Sequence, residues 1–517
     1  MIGSGFYRKL LIAMVVAGVV SGVALRSREL FQPWSGLHKA WGGAMYGNIA
    51  RNMLRYGPLE TRLAPITNTG ALVGPEEYTY YYHYPPLLVS MVAVSYRVFG
   101  VHEGSARLVP LVFSLLTLGL VFVFTRSFWG QRQALLAVAI ATFLPVEVYY
   151  ADHVDVYGPP AAFFSALAIA GYAWWYRARR TRDLLLCFGA LLAGFLTAWY
   201  TYFAAGLLIV HALWLAPREE RPARRVPLAF LVTGVLVFLA FLLHRRLLLS
   251  GGGAEVAGSL FEKLLARTAY LNLGIPTTEG LIPVGPLGFV RHLLYDLVRM
   301  FGPVTLLLVA AWFVRVGRST LRRSLEPRDL FLIMLLGYGF LHGLAFPMLL
   351  PGHDFLSRCF SVGFAIAAAL TLDAGYVALR ARAPALARAG IAILLVLVTV
   401  PNARSANRIP DRSGTGQRLA LWGEFVREAT TPETLVLLAG REDEIFRYYL
   451  DREVVFNITT EEALEGAIEP GRPAVFVVGE EAVARLPSLD LLLDKQGAYP
   501  VWRGLRLYTV SFPVGGS

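Results

Sequence analysis

The chain has 517 residues, of which 56% are hydrophobic and 16% charged, with a mean hydropathy of +0.53. Soluble domains carry about a quarter charged residues, so this composition excludes a soluble globular protein and indicates an integral membrane one. The net charge of +12 does not mark a nucleic-acid binder, because its arginines sit in short connections between apolar runs.

A helix needs about 20 apolar residues to cross a bilayer. Eleven runs qualify as predicted spans: 10–25, 105–127, 133–150, 157–176, 183–198, 201–216, 226–247, 302–316, 329–347, 355–379 and 388–402. No small-residue cleavage pattern follows the first, so it reads as an uncleaved anchor. After it comes a long loop, about 26–104, in which Trp41, Met45, Ile49 and Met53 recur every four residues. That spacing predicts an amphipathic helix stopped at Gly57-Pro58, with its apolar face in the lipid headgroups. The loop then runs through Tyr80, Tyr81, Tyr82, His83, Tyr84, Pro85 and Pro86 into a 13-residue apolar run, 87–99.

Arginine clusters at 126/132, 177–182, 218–225, 315–328 and 380–388 set the sides, because cytoplasmic loops are enriched in Lys and Arg. With eleven spans every cluster is cytoplasmic and the alternate loops are outside. If 87–99 crossed as well, each later cluster would flip. The run is therefore expected to lie along, or dip into, the outer face. The alternative is a crossing there and a mis-split pair near Trp199-Tyr200. The outer loop 248–300 offers two further amphipathic helices, Leu260–Leu273 and Phe289–Met300. Cys187 and Cys359 both fall in spans and support neither a disulfide nor a thiolate–zinc site.

Residues 411–517 hold seventeen acids and eleven bases, a reversal of sign that marks a part in a different solvent. Gln417–Ala429 reads as a helix. Thr434–Leu438, Val454–Ile458, Ala474–Val478 and Leu505–Val510 read as strands. Thr459-x-x-Glu462 reads as a capping box. The fold class is thus mostly α and polytopic, with a membrane domain over 1–410 and a small C-terminal extracytoplasmic α/β domain over 411–517. Gly440-Arg441-Glu442-Asp443 is too weak to be used as a phosphate loop.

Polar residues gather on the predicted outer side: Asp152, His153 and Asp155 after Tyr149-Tyr150; His353 and Asp354 before a span with Arg358 one turn inside; and His83 among its tyrosines. An acid beside a hydroxyl can accept its proton as general base. His, Arg and Tyr at headgroup depth suit a lipid phosphate. Carboxylate and imidazole together also suit a divalent ion, although no metal-specific spacing is present. Each of these residues is equally compatible with a plain solvated role when taken singly.

In order and spacing, several motifs resemble the lipid-linked-sugar glycosyltransferases of the C-type membrane fold, nearest the protein O-mannosyltransferases and the aminoarabinose transferases of lipid A. They are Met45-Tyr46-x-x-Ile49-x-Arg51-x-Met53, Arg55-Tyr56-Gly57, His83-x-Pro85-Pro86-Leu87, Phe99-Gly100-x-x-Glu103 and Ala106-Arg107-Leu108. Looser matches follow at Tyr150-Ala151-Asp152, Gly158-Pro159 and His353-Asp354-Phe355. The resemblance implies a polyprenyl-phosphate-linked sugar donor and a lipid, glycan or protein acceptor. It further implies inverting transfer on the outer face of the cytoplasmic (inner) membrane, often with a divalent metal ion. On that basis His83, Tyr84 and Arg358 are expected to bind the lipid phosphate, and Asp152 and Asp155 to be catalytic. His353, Asp354 and His38 are acceptor or metal candidates. The sequence departs from the family at one point: the acid of its first outer loop falls near Ala40 to Gly43, where none is present. A second common Asp is Ala198 here. Three explanations stand: Asp152 or Asp155 serves as base, with His38 a lesser candidate; the acceptor is already anionic; or the protein is an inactive carrier-binding or transport protein on the same fold.

Overall fold

The computed structural model describes residues 4–34, 37–81, 83–248, 286–322, 324–346, 353–408, 415–439, 443–467, 472–479 and 505–510. The chain divides into two compact units. One comprises Met1–Leu30, Tyr82–Met91 and Arg107–Pro410; the other comprises Phe31–Tyr81, Val92–Ala106 and Asp411–Ser517.

In the first unit a helix lies over each of the eleven predicted spans. Six of the helices among the described residues are long and apolar enough to cross a membrane: Glu103–Phe128, Arg225–Leu248, Pro303–Leu321, Pro327–Ala345, Asp354–Arg380 and Pro384–Ala406. Their outer surfaces are apolar, with Leu228, Leu236, Leu239 and Leu243 each more than half exposed, as expected of surface that meets lipid rather than water. Proline opens many of these helices, at Pro145, Pro159, Pro286, Pro303, Pro327 and Pro384. Its fixed φ suits the first turn, where its missing N–H would have no helical partner anyway. The predicted run 133–150 shows the converse. Pro145 cannot donate to Ala141, so the helix Gln131–Phe143 ends and a short one, Pro145–Tyr149, begins. Arg26 takes over the freed carbonyls, with Nη1 on Thr142 O at 2.7 Å and Nη2 on Ala141 O at 3.1 Å.

The apolar run 87–99 forms a 13-residue helix, Leu87–Phe99. At 1.5 Å per residue it is about 20 Å long against a hydrocarbon core of about 30 Å. It thus falls among the shorter apolar helices, not among the six long enough by themselves to cross. Pro286–Phe301 forms over the predicted Phe289–Met300; the predicted Leu260–Leu273 lies outside the described residues.

The second unit carries a four-stranded sheet: β1 (Leu435–Leu438), β2 (Val454–Val455), β3 (Ala474–Gly479) and β4 (Leu505–Val510), in the order β2-β1-β3-β4. β1 is parallel to both β2 and β3, and β4 is antiparallel to β3. Helices Thr415–Ala429, Glu444–Leu450 and Glu461–Ala467 complete an α/β layer. One apolar cluster joins Leu435, Leu437, Leu464 and Phe476; a second joins Val426, Val436, Phe446, Leu450 and Val477. The predicted cap shifts by one residue. Thr460, not Thr459, opens the helix Glu461–Ala467, its Oγ1 accepting from Ala463 N at 3.2 Å.

The first-loop helix, Leu37–Arg55, corrects an expectation. It was predicted to rest its apolar face in headgroups. Every residue from Lys39 to Ala50 except Trp41 is buried, its polar side included. The helix packs within the second unit on Glu444–Leu450, whose Tyr448 and Tyr449 cover it. Trp34 meets Tyr448 edge-on with ring centroids 6.1 Å apart. Trp34 N donates to Tyr449 Oη at 2.7 Å, and Arg51 lies 5.2 Å over the Tyr448 ring. Protein, rather than lipid, supplies the apolar partner.

Candidate functional site

The short helix Pro145–Tyr149 and the connection behind it, residues 150–158, lie against 353–360 in the first unit. Arg358 donates through Nη2 to Val146 O at 3.0 Å and pairs with Glu147 at 3.7 Å. Ser114 donates to Glu147 at 3.5 Å and accepts from Arg26 Nε at 3.3 Å. Arg358, expected on a lipid phosphate, thus has Glu147 as its counter-charge, and both are buried. This pairing ties the proline break to the start of the following helix.

Next along the chain, Tyr150 Oη donates to Asp354 Oδ1, while Asp354 Oδ2 pairs with Arg299 at 3.2 Å. His153 is fully buried between Tyr150 and Phe355, with ring centroids at 5.2 and 5.1 Å. His353 meets the same Phe355 edge-on at 5.4 Å. Asp152 is buried and faces Arg107, Nε to Oδ2 at 3.7 Å; Arg107 Nη1 also donates to Glu29 O at 2.5 Å. The two sequence-distant segments holding Asp152, His153, Asp155, His353, Asp354 and Arg358 are therefore one cluster.

Asp155 sits at the centre of a tight turn. Its Oδ1 accepts from Tyr157 N at 2.8 Å, and Gly158 N closes the turn on Asp155 O at 2.8 Å. A Cβ at Gly158 would stand 2.6 Å from His153 O and 2.7 Å from Asp155 O, so only glycine allows this return. Burial pushes the Asp155 carboxyl up to about 7, opposed by the Tyr157 N–H. That places its titration near neutrality, where a general base is most effective. Asp296, on the helix Pro286–Phe301, is raised to about 7 as well, first by burial and then by the charge of Asp354, with Arg299 opposing.

Tyr84 packs edge-on against Tyr157, two residues beyond Asp155, at 5.6 Å, and near Trp199 at 6.3 Å. The Pro-Pro segment docks through Leu87 N on Leu196 O at 3.1 Å. Tyr84 thus joins the cluster from the far end of the first loop, with His83 preceding it in the chain. Sequence reasoning missed Arg245. Its Nη2 donates to Tyr84 O at 2.5 Å and its guanidinium lies 4.9 Å over Phe241. It is fully buried, and Nε and Nη1 have no partner among the described residues. The available signal was an adjacent arginine pair, Arg245-Arg246, at the end of an otherwise apolar run. His38 stands in the first-loop helix, and its side chain lies outside the described residues.

Two further observations bear on chemistry. No three His, Cys, Asp or Glu side chains among the described residues gather around one ion position. Asp152, Asp354 and Glu147 each face an arginine instead, so this donor set does not fit a divalent ion. Within the Ala40–Gly43 stretch where the family's acid falls, a Cβ on Gly43 would stand 2.2 Å from the Trp34 ring. The indole occupies the space a side chain at Gly43 would need.

Residues 83–244 match the family model of the dolichyl-phosphate-mannose-protein mannosyltransferases. No curated protein matches the chain in sequence. Among solved structures, ArnT from Cupriavidus metallidurans bound to undecaprenyl phosphate superposes with a TM-score of 0.62 at 16% identity, covering 98% of both chains. The fold is that of the C-type membrane glycosyltransferases. An oligosaccharyltransferase from Archaeoglobus fulgidus gives the same TM-score at 15% identity, over 96% of this chain and 74% of that one. The archaeal enzyme AglB, in complex with an inhibitory peptide and a dolichol-phosphate, gives 0.59 at 15% over 99% and 76%. The matched span opens at His83 and closes at the residue before Arg245.

Proposed function

We propose that this protein transfers a sugar from a polyprenyl-phosphate carrier to an acceptor hydroxyl on the outer face of the cytoplasmic membrane. The observation that carries the reading is Arg245, a buried guanidinium beside the His83-Tyr84 loop with two nitrogen positions lacking a partner among the described residues. A buried cation of this kind is costly unless an anion completes it. A lipid phosphate offers charge and acceptor oxygens together. Tyr84 lends its backbone carbonyl to the same guanidinium, with His83 next to it in the chain. ArnT and AglB are the structural relatives solved with undecaprenyl phosphate and dolichol-phosphate.

The chemistry then runs with inversion. The acceptor oxygen attacks the anomeric carbon, and its proton passes to Asp155. The bond from that carbon to the phosphate oxygen breaks, and polyprenyl phosphate leaves with the electron pair. Arg245 meets the charge that develops on the leaving phosphate, an interaction stronger in the transition state than in the ground state. Asp152 and Arg107 hold the connection from which Asp155 projects. Asp354 and His353 border the acceptor side. No step is routed through a metal ion.

The test is transfer from short synthetic polyprenyl-phosphate sugars to a panel of hydroxyl acceptors, wild type against Asp155→Asn. Turnover that falls by a hundredfold or more in the variant is the expected result. Donor binding without turnover in the wild type across the panel sinks the enzymatic reading in favour of a carrier-binding protein. Equal turnover in both proteins removes Asp155 from its role.

A further inference from the structure

Away from this site, two arginine-rich connections of the first unit form one surface. Residues 177–183 and 217–225 hold eight arginines and three acids, and all eight arginines are exposed. Arg179 Nη2 donates to Glu220 O at 2.6 Å, and Tyr176 Oη donates to the Glu220 carboxylate at 2.5 Å. Arg179 is also fixed over the rings of Trp175 and Tyr176 at 4.8 and 5.0 Å. Two of the three acids are already engaged, Glu220 by Tyr176 and Asp183 by Arg182 at 3.6 Å. Arg221 is bonded to Ala216 O and Trp214 O at 3.1 Å each, which pins the second connection to a π-helical turn, His211–Leu215.

The flanks of this patch are apolar. Trp214 is 65% exposed, Leu185 65% and Leu228 58%, so the cations border surface suited to lipid tails. An exposed Trp at such a border is the residue type that anchors at headgroup depth. We infer that the joined 177–183 and 217–225 connections form a binding site for the headgroup of an anionic phospholipid. A sidedness signal needs only arginines in each loop taken separately. The tertiary bonds through Glu220 do something further, by concentrating both loops on one spot and making it rigid. Guanidinium forks match phosphate oxygens, and Arg180, Arg218 and Arg224 are exposed and make no ion pair among the described residues. A nucleic acid or a soluble acidic partner would gain nothing from the apolar flanks.

The test is native mass spectrometry of the delipidated full-length protein, titrated with phosphatidylglycerol, cardiolipin, phosphatidylcholine or tail-free glycerol phosphate. Anionic lipid is expected to bind at least tenfold tighter than phosphatidylcholine. Each neutralised arginine near the surface should cost about fivefold. The triple variant Arg180→Gln/Arg218→Gln/Arg224→Gln should therefore lose roughly a hundredfold. Arg318→Gln/Arg322→Gln/Arg380→Gln removes the same charge elsewhere and should retain most of the binding. Equal affinity for anionic lipid and phosphatidylcholine in the wild type overturns the proposal without reference to any variant. Glycerol phosphate binding as tightly as phosphatidylglycerol overturns it in favour of a free-phosphate site. Equal losses in the two triple variants overturn it in favour of net charge alone. None of these outcomes depends on transfer activity.

Discussion

Arg55 grips Asp451 with both terminal nitrogens, Nη2 to Oδ2 at 2.7 Å and Nη1 to Oδ1 at 3.2 Å. The pair joins the first-loop helix to the C-terminal segment 396 residues away in sequence. Arg51 reaches the same carboxylate at 3.2 Å, and Tyr449 donates to Glu103 nearby in the same unit. The first loop is thus folded by the C-terminal segment, and the loop leads directly into His83 and Tyr84.

Removing Asp451 leaves two arginines facing each other without their anion. Asp451→Ala is expected to destabilise the second unit by about 3 kcal/mol, read as a lowered thermal midpoint and faster proteolysis at the exposed Arg62. The paired swap Asp451→Arg/Arg55→Asp should recover part of the loss. An unchanged midpoint in the single variant refutes the role.

Acid should loosen the same contact. Burial by itself raises the Asp451 carboxyl, but Arg51 and the Arg55 hydrogen bonds outweigh it and hold the group below the ordinary carboxylate range. A depressed carboxylate contributes stability that is present above its unfolded value, about 3.9. That stability is lost as pH falls through the folded value. Protease sensitivity at Arg62 should therefore rise below about pH 4 in wild type and be pH-independent there in Asp451→Asn.

Asp155 runs the other way. Its folded carboxyl is raised to about 7, so its contribution to stability is full below the unfolded value and is lost as pH rises towards 7. Activity has the opposite sense, because a base must be ionised. The rate of transfer should climb with pH to a midpoint near 7, and Asp155→Glu should shift that midpoint while retaining measurable turnover. A flat profile from pH 5 to 8 would exclude Asp155 as the base.

Arg245→Ala should weaken donor binding by about ten- to a hundredfold, the range for a hydrogen bond to a charged group. Arg246→Ala, at the exposed neighbouring position, should change it little. Calorimetry with a short polyprenyl phosphate separates the two, and equal effects would mean a general electrostatic influence.

An acid at Gly43, one position of the Ala40–Gly43 stretch, is expected not to be accommodated. Gly43→Asp would drive its Cβ into the Trp34 ring, and overpacking of this kind costs about 1–3 kcal/mol. Gain of transfer activity in Gly43→Asp would show that the helix adjusts and that the missing acid was the limiting feature.

Much of the fold was legible in the residues because the signals are local. Each apolar run became a helix, and β4 formed over the predicted Leu505–Val510. The break at Pro145 was missed. A proline inside an apolar run reads the same whether it kinks a helix or starts a new one, until the fate of the Ala141 carbonyl is known. The capping threonine was misplaced by one, since Thr459 and Thr460 are chemically alike and only backbone geometry distinguishes them.

The candidate site was legible in part. Asp152, Asp155, His353, Asp354 and Arg358 were singled out by residue type and position between spans, and they do come together around Tyr150 and Phe355. Their partners were not legible, because Arg107, Arg299 and Glu147 approach from other segments.

The sequence by itself determined the membrane class, the helical runs and the alternation of arginine-rich connections, since hydropathy, proline and charge act over a few residues. Only the tertiary structure decided that Tyr448 and Tyr449 cover the first-loop helix, that Arg358 is paired with Glu147, and that Arg245 stands at Tyr84. Those relations depend on contacts between residues dozens to hundreds of positions apart, and no local periodicity encodes them.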